Sequence, residues 1–152
     1  MFAGLSAPLA GLCLPVVVLL FGCLSDSIRP PSGRQPTVMT MEVTGYCSCG
    51  KCCGWERSWF GFGAPVFNSG PNKGKRKEVG VTANGARARR GTVAADTAVL
   101  PFGTVVHVPG YGYGRVEDRG GAIKGNKLDL WFSSHEEALK WGRKRVTVSV
   151  WK

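Results

Sequence analysis

The sequence predicts a mainly β protein, a small β-barrel carrying one short helix, on three observations. Short segments rich in β-formers recur at residues 79–82, 92–95, 104–108, 114–117, 127–132 and 145–151. Glycine and proline turns separate them, among them Leu100-Pro101-Phe102-Gly103 and Pro109-Gly110-Tyr111-Gly112. One helix signal interrupts the series: Ser134 with Glu137 forms a capping box, Glu136 and Glu137 suit the positive N-terminal end, and Gly142 ends the turn. Many short strands with a single helix make a closed barrel the economical architecture. In the last strand Val146, Val148 and Val150 alternate with Thr147, Ser149 and Trp151, which turns one face inward.

At 152 residues the chain allows one compact domain with an appendage at its start. Residues 1–24 hold no charged side chain, and residues 12–21 are almost wholly apolar. The run ends in Leu20-Phe21-Gly22-Cys23, the shape of a bacterial lipoprotein cleavage site, although no Lys or Arg precedes it. Residues 1–22 are therefore expected to be a signal peptide, with Cys23 as lipid acceptor. The alternatives are an uncleaved membrane anchor, for which about 20 apolar residues suffice, or ordinary secretion. Each reading puts the rest of the chain outside the cytoplasmic membrane, in the cell envelope, and at the outer membrane or periplasm if the cell has two membranes. Residues 24–37, rich in Pro, Ser and Arg, read as a flexible linker. The folded domain is expected over residues 38–152, where Val38-Met39-Thr40-Met41-Glu42-Val43-Thr44 begins in β-formers.

Twenty Lys and Arg face ten Asp and Glu, for a formal charge of +10. The surplus gathers in Lys73-Gly74-Lys75-Arg76-Lys77 and Arg87-Ala88-Arg89-Arg90. Such runs commonly form a solvated face; in an exported chain they also attract anionic envelope polymers or lipid head groups. Nucleic acid is not expected as a partner, because neither a basic face interleaved with aromatics nor a nucleic-acid fold signature is present.

Four of the six cysteines, Cys47, Cys49, Cys52 and Cys53, lie within seven residues. A C-x-C-x-x-C-C cluster could bind a thiophilic metal as four thiolates. Outside the cytoplasm structural disulfides are the more frequent fate, Cys52 and Cys53 pairing with Cys47 and Cys49, and the expectation is disulfides with no metal and no cofactor. Residues 55–77 are irregular and hold Trp55, Trp59, Phe60, Phe62 and Phe67. A loop of this kind either presents rings to a ligand such as a sugar or folds back to bury them. His107 and His135 read as structural.

Three aspartates stand out from the basic background. Asp118 and Asp129 are eleven residues apart, with Gly120, Gly121 and Gly125 between them, and Asp96 lies upstream in Val93-Ala94-Ala95-Asp96. Asp beside Gly is also ordinary turn chemistry. The functional alternative is a glycosidic site: a glycosidic oxygen leaves poorly unless protonated, and a carboxylic acid can supply the proton if its surroundings raise its pKa. A neighbouring carboxylate does so, since two like charges resist joint ionisation. The glycines would let the connection turn sharply and a polymer approach the backbone.

The segments Val93-Ala94-Ala95-Asp96, Leu100-Pro101-Phe102-Gly103-Thr104, Val116-Glu117-Asp118-Arg119-Gly120-Gly121-Ala122-Ile123-Lys124-Gly125 and Leu128-Asp129-Leu130 together resemble the three-aspartate (3D) domain. That domain is found in cell-wall-remodelling proteins and in the catalytic part of the membrane-bound lytic transglycosylase A family. Thr44-Gly45-Tyr46-Cys47 and Val81-Thr82-Ala83-Asn84-Gly85 resemble the lead-in of stand-alone members. The resemblance implies a six-stranded double-psi β-barrel and cleavage of the MurNAc–GlcNAc β-1,4 bond of peptidoglycan with 1,6-anhydro ring formation. It implies Asp129 as catalytic acid, Asp118 as its support and Asp96 as a third, less defined member. Gly120, Gly121, Lys124 and Gly125 are then expected along bound glycan strands. The chain is expected to work as a monomer held by a lipid anchor. The alternative is a non-catalytic peptidoglycan-binding lipoprotein.

Overall fold

The computed structural model describes residue 1 and residues 27–152. The expected signal peptide, Cys23 and the first residues of the linker lie outside the described residues. The chain order is β1 (Thr37–Tyr46), α1 (Gly50–Cys53), β2 (Trp55–Arg57), β3 (Pro65–Phe67), β4 (Thr92–Ala95), β5 (Val105–Val108), β6 (Gly112–Asp118), β7 (Lys127–Trp131), α2 (His135–Trp141) and β8 (Lys144–Trp151). Six strands close into a barrel in the order β1-β7-β4-β6-β5-β8, and β2 and β3 form a separate two-stranded ribbon. Two of the barrel pairings, β1 with β7 and β4 with β6, are parallel, and the other four are antiparallel. The mainly β, six-stranded barrel expected from the sequence is therefore present.

Closure follows from the period-two pattern. Met41 and Val43 in β1, Leu128 and Leu130 in β7, and Val148 and Val150 in β8 point inward and are essentially inaccessible. Val93, Ala95, Leu100, Val106, Val108 and Val116 join them in the core. A fully buried side chain of this kind is worth about 1.5–3 kcal/mol, and closing the sheet leaves no unpaired barrel edge. Outside the barrel, Tyr111, Phe132 and Trp141 pack edge-on or tilted, with ring centroids 5.4–6.2 Å apart, and dock α2.

The helix forms where the capping signal put it. The Ser134 hydroxyl accepts from the Glu137 N–H at 3.1 Å, and the Gly142 N–H closes the far end on the Ala138 carbonyl. The Glu137 carboxylate reaches back to the N–H and hydroxyl of Ser133, one residue earlier than a reciprocal box requires.

Three local expectations change. Residues 79–82 are not a strand: Val81 makes one bridge to Arg87, because the Thr82 hydroxyl donates into the turn it shares with Asn84 and Ala86. The cysteine segment contains a second short helix, α1, and the aromatic stretch after it contains the β2–β3 ribbon. The described part of the linker is partly tied down, since the Arg34 guanidinium donates to the Lys152 carbonyl and the Trp151 indole donates to the Arg34 carbonyl.

Candidate active site

Strand register assembles the site. Asp129 in β7 lies opposite Thr44 in β1 on one side and opposite Ala94 in β4 on the other. A register shift between Val93 and Ala94 then puts Ala94 opposite Asp118 in β6. Thr44, Asp129, Ala94 and Asp118 thus form one row across four neighbouring strands. Two interstrand spacings of about 4.8 Å separate the backbones of the two aspartates, and the methyl of Ala94 is the small residue between them. The row opens into a cleft of about 340 Å³ whose walls include Tyr46, Ala94, Asp118, Asp129, Arg119, Gly120 and Gly121 together with Ser48, Cys52, Cys53 and Lys77.

The two carboxylates have unlike surroundings. Asp129 is half-buried, and its Oδ1 accepts from the Thr44 hydroxyl at 2.8 Å. Burial pushes its pKa from 3.8 up to about 6; the Thr44 hydrogen bond opposes the rise and the Asp118 charge adds to it. Asp118 receives three donors: the Tyr46 hydroxyl at 2.9 Å, the Ala83 N–H at 3.0 Å and the Arg119 N–H at 2.9 Å. Such a set suits an anion. Tyr46 is itself held protonated, its pKa raised above the ordinary value by burial and then by Asp118, so its hydroxyl remains a donor. One carboxyl raised by burial thus lies beside another held by three donors, which is an arrangement suited to proton donation with charge support.

Of the other residues expected at the site, Gly120 and Gly121 line the cleft, while Lys124 flanks an adjoining hollow with Thr97 and Arg119. Asp96 is not on the cleft wall. Its two oxygens accept the Gly125 N–H at 2.9 Å and the Ala98 N–H at 3.2 Å, and these bonds hold its carboxyl below the usual range. Gly125 takes a positive φ of 61°, so Asp96 pins the glycine loop from outside the barrel. Thr44, Tyr46 and Ala94 were not singled out as site residues. Thr44 and Tyr46 were legible, because positions two apart on a strand share a face; Ala94 and the Ala83 N–H carry no sequence signal.

The four clustered cysteines are free thiols in this structure, and none is paired as expected. Cys47 and Cys52 approach to 3.8 Å between sulfurs, whereas Cys53 turns away and donates to the Cys47 carbonyl. The aromatic stretch divides between the two expected behaviours. The Trp55 indole donates to the Ser48 carbonyl and Lys77 sits 4.2 Å above the Phe67 ring, but Trp59, Phe60 and Phe62 are exposed at the ribbon tip.

A closed barrel with an unequal aspartate pair in an open cleft defines the class of site. Residues 91–152 match the family model described as the 3D domain. Among curated proteins, YabE of Bacillus subtilis (strain 168) is 47% identical over 58 residues, covering 38% of this chain and 14% of its own. The "Cell wall-binding protein YocH" of the same organism is 44% identical over 75 residues, 47% of this chain and 26% of that one. The "SPbeta prophage-derived uncharacterized protein YorM", also from that organism, is 30% identical over 129 residues, 83% of this chain and 46% of that one. The chain spans under half the length of each of these relatives. Among solved structures, MltA from Escherichia coli, described as having a unique lytic transglycosylase fold, is 24% identical, covering 47% of this chain and 27% of that one with a TM-score of 0.40. That likeness is local.

Proposed function

We propose that this protein is a peptidoglycan lytic transglycosylase of the cell envelope, with Asp129 as its proton-transferring residue. The observation that carries the reading is Asp129 itself, an acid raised to about 6 by burial, beside Asp118, in a cleft open to a polymer. In the proposed step Asp129 protonates the MurNAc–GlcNAc glycosidic oxygen as the bond to C1 breaks. Its carboxylate then takes the proton from the muramoyl C6 hydroxyl, whose oxygen closes on C1 to give the 1,6-anhydro ring. Proton count balances within the substrate, and no water is consumed. Asp118, anchored by Tyr46, Ala83 and Arg119, offsets positive charge developing at C1. Asp96 acts by positioning, through Gly125, the loop that carries Gly120 and Gly121. Lys77 and Arg119 on the cleft wall suit the carboxylates of peptide stems. Cys23 would hold the protein at the membrane as a lipid acceptor.

The second reading is a wall-binding protein without catalysis, supported by the name of the relative YocH. Digestion of purified peptidoglycan, followed by mass spectrometry of the products, separates the two. Anhydro-muropeptides are expected with the native chain and none with Asp129→Asn. Reducing ends formed with water would make the enzyme a hydrolase, and intact sacculi that retain the protein would favour the binding reading. Membrane attachment unchanged in Cys23→Ser would remove the lipid anchor.

A further inference from the structure

Beside the aspartate cleft, and sharing Cys52 with its wall, a cluster of thiols and one imidazole joins α1 to α2. Cys47 ends the barrel segment after Tyr46, Cys49 caps α1, Cys52 lies one turn further on, and His135 is the first residue of α2, more than eighty positions away. The three sulfurs and one imidazole nitrogen all lie within 4.8 Å of one another. The closest edges are 3.8 Å for Cys47 Sγ to Cys52 Sγ, 3.6 Å for Cys49 Sγ to His135 Nδ1, and 3.3 Å for Cys52 Sγ to His135 Nδ1.

These edges have the size of a coordination tetrahedron. With Zn–S about 2.3 Å and Zn–N about 2.0–2.1 Å, tetrahedral ligands stand about 3.8 Å apart for two sulfurs and about 3.5 Å for sulfur and nitrogen. Three thiolates and one imidazole are a closed, structural donor set, and they leave no position for a substrate. The backbone is prepared for it. The Trp55 indole holds the Ser48 carbonyl and the Trp131 indole holds the Ser48 hydroxyl, which fixes the turn between Cys47 and Cys49. Gly50 lies so close to the Trp55 carbonyl that a Cβ there would collide with it. A helix of four residues does not persist by its own hydrogen bonds, so α1 depends on contacts from outside itself. Cys53, the fourth cysteine of the run, is left out because its thiol is spent on the Cys47 carbonyl.

We infer that Cys47, Cys49, Cys52 and His135 bind one Zn²⁺ ion as a structural site that ties α1 to α2 and so fixes the Ser48–Cys53 wall of the cleft. Binding releases the three thiol protons to solvent and leaves a site of net charge −1. It also shields these thiols from the oxidation that cysteines meet outside the cytoplasm. The inference stands independently of the cleavage reading, since its readout is metal content.

The test uses the full chain, purified under reducing conditions, stripped with a chelator and titrated with ZnCl₂ and, in parallel, CoCl₂. The expected result is one equivalent bound per chain, with thiolate-to-cobalt charge transfer and the intense visible bands of tetrahedral Co²⁺. Cys53→Ser keeps the stoichiometry and the spectrum, whereas His135→Ala and Cys49→Ser each weaken Zn²⁺ binding at least tenfold. The spectrum of the native chain stands even if a ligand variant fails to fold. Absence of binding by the reduced chain, an octahedral cobalt spectrum, or loss of the site in Cys53→Ser but not in His135→Ala would overturn the assignment. So would a metal-free envelope form lighter by four hydrogens, because both disulfides would then be formed.

Discussion

The aspartate row and the thiol–imidazole cluster share one segment of chain, since Tyr46 serves the first and Cys47 begins the second, yet they are held in place by different means. Thr44, Asp129, Ala94 and Asp118 sit on four hydrogen-bonded strands, and their spacing is set by barrel register. The cluster sits on the residue after β1, a four-residue helix with its cap, and the first residue of α2, outside the strands themselves. Hydrogen-bonded backbone therefore sets the separation of the aspartates, while the inferred ligation would organise the segment beside them. On the proposed reading, pre-organisation of the aspartate pair resides in the barrel, and the order of the neighbouring cysteine segment would rest on the inferred metal site.

This contrast can be broken from the barrel side first. Asp129→Asn is expected to lower anhydro-muropeptide formation by about 10³-fold or more, because general acid catalysis and the return of the proton are both lost. The same assay on the native chain is expected to show an alkaline limb, with the rate falling about tenfold per pH unit above about 6 as Asp129 loses its proton. A rate that stays flat to pH 8 would remove Asp129 as the acid.

Tyr46→Phe tests the support that β1 gives to Asp118. It deletes one hydrogen bond to a charged group, worth about 1.5–3 kcal/mol, and about 10- to 100-fold in rate is expected to go with it. Folding should persist, since the ring remains buried. An unchanged rate would show that the Ala83 and Arg119 N–H groups suffice to hold Asp118.

Stability should move in the opposite direction to activity at Asp129. Its folded-state pKa, about 6, lies above the ordinary 3.8, so the folded chain holds this proton more tightly than the unfolded chain. The resulting stabilisation is complete below about pH 4 and is lost as pH rises through about 6, a difference of at most about 3 kcal/mol. Asp129→Asn carries no charge to bury, so it should exceed the native chain in stability by about 1–3 kcal/mol at pH 8 and match it near pH 4. Urea denaturation at the two pH values measures this, and an Asn variant weaker at pH 8 would contradict the burial argument.

The smallest effect is expected at the ribbon tip. Trp59 is 78% and Phe60 94% exposed, so Trp59→Ala and Phe60→Ala should each change unfolding free energy by no more than about 0.5 kcal/mol. Any loss of glycan retention in these variants would then report on contact with the polymer and not on folding.

The residues that were legible in the sequence are those whose roles are local or periodic. Val146, Val148 and Val150 announced an inward face, Ser134 and Gly142 marked the ends of α2, and the glycine-rich stretch from Asp118 to Asp129 stood out by composition. The ribbon around Trp55 and Phe67 was missed because its strands are three residues long, too short for alternation to register. Residues 79–82 misled because β-rich composition says nothing about the Thr82 hydroxyl closing a turn on Ala86.

By itself the chain determined the fold class, the basic surface and the three aspartates as candidates, since hydrophobic period, turn chemistry and scarcity of acids are properties of order along the chain. Tertiary structure decided the rest. It separated Asp96, which binds the Gly125 backbone, from the pair in the cleft, and it gave Asp129 the burial that makes it an acid near neutrality. It also brought His135 to three cysteines and left Cys53 out. Each of these turns on contacts between residues tens of positions apart, which strand register and helix docking fix in space and which composition and spacing do not encode.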